Sequence, residues 1–263
     1  MGLTLTWLSI IVLIPLAGLF LKTFELSFDQ FWDILTSRRT LNALKISFGL
    51  AFLAAIVNLV MGMVIVWVLV RYKFPGRRTF DAIVDIPFAL PTAVAGVALT
   101  ALFAQKGWLG APLAELGIKV AFTPVGIFVA MIFIGFPFVV RTVQPVLIDL
   151  EIEVEEAAAS LGASRWDIIT RVILPSLTPA ILTGFALAFA RAVGEYGSVI
   201  FIAGNLPNVS EIAPLLIVIR LSEFRYADAT AIAVIMLLVS FTIIFFINRI
   251  QRWAQTRGAA IAY

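Results

Sequence analysis

The 263-residue chain has no cysteine and no histidine, and only 13% of its residues are charged. Without cysteine there are no disulfides and no thiol chemistry. Without either residue the usual zinc sites and His-ligated haem are excluded as well. No Gly-Lys dipeptide occurs, so the phosphate-cradling loop of a nucleotide-hydrolysing enzyme is absent from the sequence. Charge of either sign is scarce, with 19 Lys and Arg against 16 Asp and Glu. The resulting net charge of +3 is too small for a nucleic-acid footprint, despite a pI near 9.4. No cofactor is expected.

What is abundant is apolar surface: 62% of residues are hydrophobic and mean hydropathy is +1.06, values of an integral membrane protein rather than a soluble domain. Crossing a hydrocarbon core about 30 Å thick takes about 20 helical residues. Suitable runs predict six membrane spans at about 3–22, 46–70, 86–105, 121–140, 178–203 and 229–248. The runs are continuous rather than alternating at period two, so helices satisfy their backbone groups better than a barrel would. The expected fold class is all-α, a single polytopic domain over 1–263. The first run lacks the basic flank and small-residue cleavage site of a signal peptide, and is read as the first span.

Orientation follows from the positive charge of short loops. The segment RYKFPGRR places Arg71, Lys73, Arg77 and Arg78 after the second span, and Arg249, Arg252 and Arg257 follow the last one. Both should be cytoplasmic, which puts both termini and the loop 149–175 inside.

That loop is the least bilayer-like part of the chain. From Asp149 the run DLEIEVEEAAASL has high helix propensity, and its early acids Asp149, Glu151, Glu153, Glu155 and Glu156 suit a helix N-terminus. Gly162 breaks it, and Ser164 with Asp167 three residues on resembles a capping box opening a second helix. On that helix Trp166, Ile169 and Ile173 share one face, expected to be exposed to the cytosol, until Pro175 ends it. A helix lying on the bilayer interface would give the same pattern, although its acidic partner helix would be repelled by anionic lipid.

The order Glu156-Ala157-Ala158, Gly162, Val172, Leu174 and Pro175 resembles the EAA loop of ABC importer permeases, with Val where Ile is more usual, which makes these residues and Trp166 candidates for coupling. The segments DIPFALPTAVAG (85–96), FPFVVRTVQPVL (136–147) and GEYGSVIFIAGN (194–205) are similar to T-subunit permeases of sulfate/thiosulfate importers, the first also to molybdate permeases. The resemblance implies the type I importer permease fold, with the 149–175 loop as the coupling helix that docks on an ATP-hydrolysing subunit. It further implies a heterodimer with a homologous second permease, two copies of the ATPase, and a periplasmic sulfate-binding protein, in a bacterial inner membrane and surrounded by lipid. An ATPase-independent secondary transporter or channel is the competing class; it would leave the charged hairpin without a role.

Intramembrane charge marks one more site. If the fifth span covers 178–203, Arg191 lies near its middle and Glu195 one turn on, with Ser198 following. Arg191 could line an oxyanion path, or the Arg191–Glu195 pair could neutralise itself as a latch; the resemblance places GEYGS near the gate between the permeases.

Overall fold

The computed structural model describes residues 2–261, and the side chains of 3–5 and 252–261 lie outside the description, as do the ends of the expected 1–263 domain and the basic groups of Arg252 and Arg257. Among the described residues the chain is helical throughout, without strands. In order the helices are α1 (Gly2–Leu8), α2 (Ile14–Thr23), α3 (Phe28–Thr36), α4 (Arg38–Arg71), α5 (Arg77–Val84), α6 (Ile86–Ala89), α7 (Thr92–Phe103) and α8 (Gly110–Glu115). There follow α9 (Pro124–Asp149), α10 (Ile152–Ser160), α11 (Arg165–Asp167), α12 (Leu174–Val193), α13 (Val199–Ile202), α14 (Ala213–Ser222) and α15 (Tyr226–Ile261). A wide π turn joins α1 to α2 at Ser9–Leu13, and another joins α11 to α12 at Ile168–Ile173.

Five stretches are long and apolar enough to cross a bilayer: Thr6–Thr23, Arg38–Arg71, Pro124–Asp149, Arg165–Val193 and Tyr226–Gln251. The stretch expected as a third span, 86–105, is instead broken. Leu90, preceding Pro91, is extended at φ −83°, ψ 131°, because the proline ring crowds the helical conformation of the residue before it. The four-residue α6 and the 12-residue apolar α7 therefore occupy that region.

The core is a three-helix contact of α4, α9 and α12, and it is built on small residues. Ala51, Ala54 and Ala55 of α4 are fully buried. A Cβ at Gly62 would lie 2.8 Å from Val139 Cγ1, and one at Gly184 would lie 3.1 Å from Val139 Cα, so both glycines admit the facing helix at close range. In lipid, where apolar side chains gain little by leaving the solvent, such close backbone approach is what holds helices together. Phe52 of α4, half-exposed, stands edge-on to Phe185 of α12 at 5.6 Å, and Phe189 beside them is buried. Helix α15 packs against α12 and α14 and carries α2 on its outer side.

Local chemistry explains the main helix ends. Ser37 Oγ accepts from Thr40 N at the start of α4, and Thr123 Oγ1 accepts from Val125 N at the start of α9, where Pro124 takes a first-turn position that needs no amide hydrogen. After α4, Gly76 at φ +82° turns the chain into α5.

Four expectations need correction. Asp149 closes α9 rather than opening the acidic helix, because Leu150 and Glu151 are extended and α10 starts at Ile152. Pro175 does not end the second hairpin helix: it sits in the first turn of α12, and the helix is continuous over Arg165–Val193. The π turn immediately before it widens the backbone where a proline ring would otherwise meet a carbonyl. The face of Trp166, Ile169 and Ile173 is not uniformly exposed either, since Ile173 is buried and Ile169 packs on the core; only Trp166 stays in the open. Finally, Arg191 lies in the last turn of α12 and not in mid-span, because the helix stops at Val193 and Gly194 caps it.

Candidate coupling hairpin and ion-pair lock

Helix α10 carries Glu156, Ala157 and Ala158. Glu156 and Ala157 face outward, and Ala158 is half-buried. Gly162 then adopts φ +87°, its amide donates to Ala159 O at 2.9 Å, and the amide of Ala163 donates to Ala158 O at 3.1 Å. These two bonds are the paired closure that ends a helix on a left-handed residue, which is why glycine stands there. The turn leads into a capped start: Ser164 Oγ accepts from Asp167 N at 3.2 Å and bonds the Asp167 carboxylate. The tip so formed presents Leu161, 90% exposed, and Trp166, 72% exposed, beside Glu156. Two large apolar side chains with no cover, fixed on a rigid turn, make a surface suited to a partner's groove. Leu174 and Pro175 are also exposed, on the first turn of α12.

The hairpin is tied to the bundle by a residue that sequence reasoning missed. Arg71, at the end of α4, donates from Nη2 to Glu155 Oε1 at 2.6 Å and to Leu150 O at 3.3 Å, with its guanidinium 6.0 Å from the Trp67 ring centre. Both partners of the ion pair are mostly buried. Nothing in the sequence signals a contact 84 residues apart.

A second missed network joins two of the motifs singled out above. Arg141 of α9 donates from Nε to Asp85 Oδ1 at 2.7 Å and from Nη2 to Asp85 Oδ2 at 2.8 Å, a two-pronged grip. Its Nη1 donates to Asp81 Oδ1 at 2.7 Å and to Gln144 Oε1 at 2.6 Å. Phe88 meets Phe138 edge-on at 5.0 Å beside it. Burial would raise the Asp81 carboxyl, but the hydrogen bonds from Arg141 and Gln144, with the charges of Arg141 and Arg77, outweigh it and hold the group below the usual carboxylate range. The network fixes α5 and α6 to α9.

At the far end of the helix that begins in the hairpin, Arg191 Nη1 donates to Glu195 Oε2 at 2.5 Å. The other oxygen, Glu195 Oε1, accepts from Ser198 N at 2.8 Å and from Ser198 Oγ at 3.0 Å. Glu195 is 2% exposed and Ser198 is fully buried, whereas Arg191 is a third exposed. So the three residues do meet, with the carboxylate saturated and the guanidinium reaching open space. Among the described residues Arg191 Nη2 and Nε have no partner. Glycines seat this lock: a Cβ at Gly96 would lie 2.5 Å from Ser198 O, and one at Gly197 would lie 2.2 Å from Thr92 Oγ1.

The coupling residues and the lock residues are not neighbours. Trp166 of the hairpin and Arg191 of the lock stand near opposite ends of one helix, Arg165–Val193, about 43 Å long at 1.5 Å per residue.

Comparison with known proteins agrees with this architecture. The chain is 49% identical over 252 residues to the sulfate transport system permease protein CysT of Synechococcus elongatus, covering 96% of this chain and 91% of that one. It is 47% identical over 251 residues to the protein of the same name from Escherichia coli K12, covering 95% and 91%. Among solved structures, a bacterial ABC transporter that imports the acidic polysaccharide alginate superposes with a TM-score of 0.79 at 20% identity, over 95% of this chain and 92% of that one. An inward-facing MetNI methionine ABC transporter superposes with a TM-score of 0.62 at 18% identity, over 87% and 99%. The fold is thus that of an ABC importer permease. Residues 58–257 match the profile described as "Binding-protein-dependent transport system inner membrane component", and the chain belongs to that family.

Proposed function

We propose that this chain is the membrane permease of an ATP-driven importer of sulfate or thiosulfate. It works as a heterodimer with a homologous permease, with two copies of an ATP-hydrolysing subunit at the 149–175 hairpin and a sulfate-binding protein on the outer face. Both termini and the hairpin are cytoplasmic in this reading.

One observation carries the mechanism: the second limb of the hairpin and the helix that holds Arg191 in its last turn are a single rod, Arg165–Val193. A groove on the ATPase grips Leu161, Trp166 and Glu156 at the tip. When ATP draws the two ATPase copies together, the tip moves with them, and a rod some 43 Å long delivers that displacement to the lock at its other end. The Arg71–Glu155 pair makes α4 move with the hairpin instead of letting it swivel. At the lock, a change in α12 relative to the Glu195–Ser198 segment separates Arg191 from Glu195. The freed guanidinium meets the oxyanion during passage, its planar donors matching two oxygens of a tetrahedral anion. The latch and the anion contact, alternatives on sequence alone, become two states of one residue. A molybdate permease would use the same parts, so the choice of sulfate rests on the identity with the CysT proteins and on the 136–147 and 194–205 segments.

The test is reconstitution of the chain with its neighbouring permease, ATPase and binding protein in liposomes. Uptake of radiolabelled sulfate that requires ATP inside, and is competed by thiosulfate more strongly than by molybdate, supports the reading. ATP-independent uptake, or preference for molybdate, refutes it.

A further inference from the structure

Between α4, α5, α7 and α9 lies an open groove of about 810 Å³ whose lining side chains are all apolar. Val68 lines it from α4, Phe80 and Ile83 from α5, Phe133 and Phe136 from α9, and Phe74 from the connection between α4 and α5. Along α9 it runs from Val129 to Phe136, roughly 10 Å at 1.5 Å per residue. One end of the groove, at Phe74 and Phe80, belongs to the basic segment of the chain. Phe74 follows Lys73 directly, and Phe80 stands one turn beyond Arg77 and Arg78.

Three of the nearby acids are already committed, and Glu151 and Glu153 share a separate recess with Arg77. Asp81 and Asp85 are held by Arg141, and Glu155 by Arg71. Arg77 stands near enough to Asp81 to help depress its pKa, yet among the described residues none of Lys73, Arg77 and Arg78 makes an ion pair. Lys73 and Arg78 are exposed. A hydrocarbon slot with no polar side chain along its walls, next to a chain segment holding three cations without an ion pair, has the chemistry of one ligand: an amphiphile with an anionic head and an alkyl tail.

We propose that this groove is a binding site for an anionic diacyl phospholipid, an acyl chain lying along Val68, Ile83 and Phe133 and the phosphate resting on Lys73, Arg77 and Arg78. A zwitterionic lipid fills the slot equally well but gains nothing from these cations, so head-group charge sets the preference. The site adjoins the Arg141 network, since α5 supplies both the groove wall and Asp81; a bound lipid would brace α5 against α9 beside that network. The inference rests on the chain lying in a bilayer and is independent of which anion is transported.

The test uses the assembled transporter in nanodiscs of phosphatidylcholine, doped with a trace of phosphatidylglycerol or phosphatidylcholine carrying a photoreactive group on one acyl chain. The phosphatidylglycerol probe should label the Phe74–Ile83 and Val129–Phe136 segments in preference to the phosphatidylcholine probe. Each Lys or Arg to Gln change at 73, 77 and 78 should weaken that labelling about fivefold, and the triple variant on the order of a hundredfold. Arg77→Lys with Arg78→Lys keeps the charge and should keep the labelling, which separates lost charge from lost folding. Equal labelling by the two probes in the wild-type complex overturns the proposal. So does cross-linking of these segments to the second permease in place of lipid, which would make the groove a subunit interface.

Discussion

Gly96→Ala is the sharpest test of how the lock is seated. A methyl group there would stand 2.5 Å from Ser198 O, 2.7 Å from Ser198 Cα and 2.9 Å from Ser198 C, and all three atoms are backbone. Carbon atoms rest at about 3.5–4.0 Å, so α7 or the segment at Ser198 must retreat by about 1 Å. Overpacking of this kind costs about 1–3 kcal/mol. The movement also falls on the residue whose amide and hydroxyl both bond Glu195 Oε1, at 2.8 and 3.0 Å, and hydrogen bonds to a charged group are worth about 1.5–3 kcal/mol each. A loss of about 2 kcal/mol or more is expected, or a fall of about 4–8 °C in melting temperature on the scale of soluble chains of this size. Gly49→Ala is the matched control: the glycine is exposed within the 34-residue α4, nothing lies within 4 Å of a Cβ there, and alanine should be neutral or stabilise the helix by up to about 1 kcal/mol. Tryptophan fluorescence during heating of the purified complex in mild detergent reads both variants. Gly96→Ala melting with the wild type, or Gly49→Ala losing as much, would sink the argument that backbone proximity holds the lock.

Four further outcomes follow from the geometry. Arg191→Ala should free a carboxylate that is 2% exposed, whereas removing Glu195 as well should partly restore assembly; a double-mutant cycle in complex yield that is strictly additive would refute a coupled pair. Glu155→Gln and Arg71→Gln should each uncouple the transporter, leaving ATP hydrolysis while sulfate uptake falls severalfold, and equal loss of both activities would count against a transmitting role. Gly162→Val meets no neighbour within 4 Å but must hold φ +87°, so it should weaken the hairpin by about 1–2 kcal/mol and lower uptake without lowering the yield of membrane-inserted chain. Asp81 sits below the usual carboxylate range when folded, so its contribution is complete above the unfolded pKa and is lost only as pH falls through the lower folded value; in Arg141→Gln, amide exchange of residues 77–85 should rise at a higher pH than in the wild type.

How much of this was legible in advance depends on the range of each interaction. Long uncharged runs announce helices wherever they occur, and the hairpin turn could be read because its causes are adjacent: Gly162 supplies the left-handed residue, and Ser164 caps toward Asp167 three positions later. Pro175 misled for the complementary reason. A proline is a local stop signal, and the π turn that lets the helix run through it is a property of the preceding backbone that no residue type encodes. Arg191 was misplaced because the apolar runs on either side of GEYGS read as one span, so hydropathy could not register that the helix ends where Glu195 turns to accept from Ser198. The ion pairs Arg39–Glu211, Arg71–Glu155 and Arg141–Asp85 span 172, 84 and 56 residues, and no periodicity connects their members. Yet their existence follows from scarcity and burial. In a chain with 16 acids, one as enclosed as Glu195 or Glu211 needs a cation beside it, because an isolated buried carboxylate would cost several kcal/mol or take up a proton. Sequence therefore states that partners are needed and the fold states which. Lys73, Arg77 and Arg78 are three of the cations left without an ion pair among the described residues, and they give an anion from outside the chain somewhere to go.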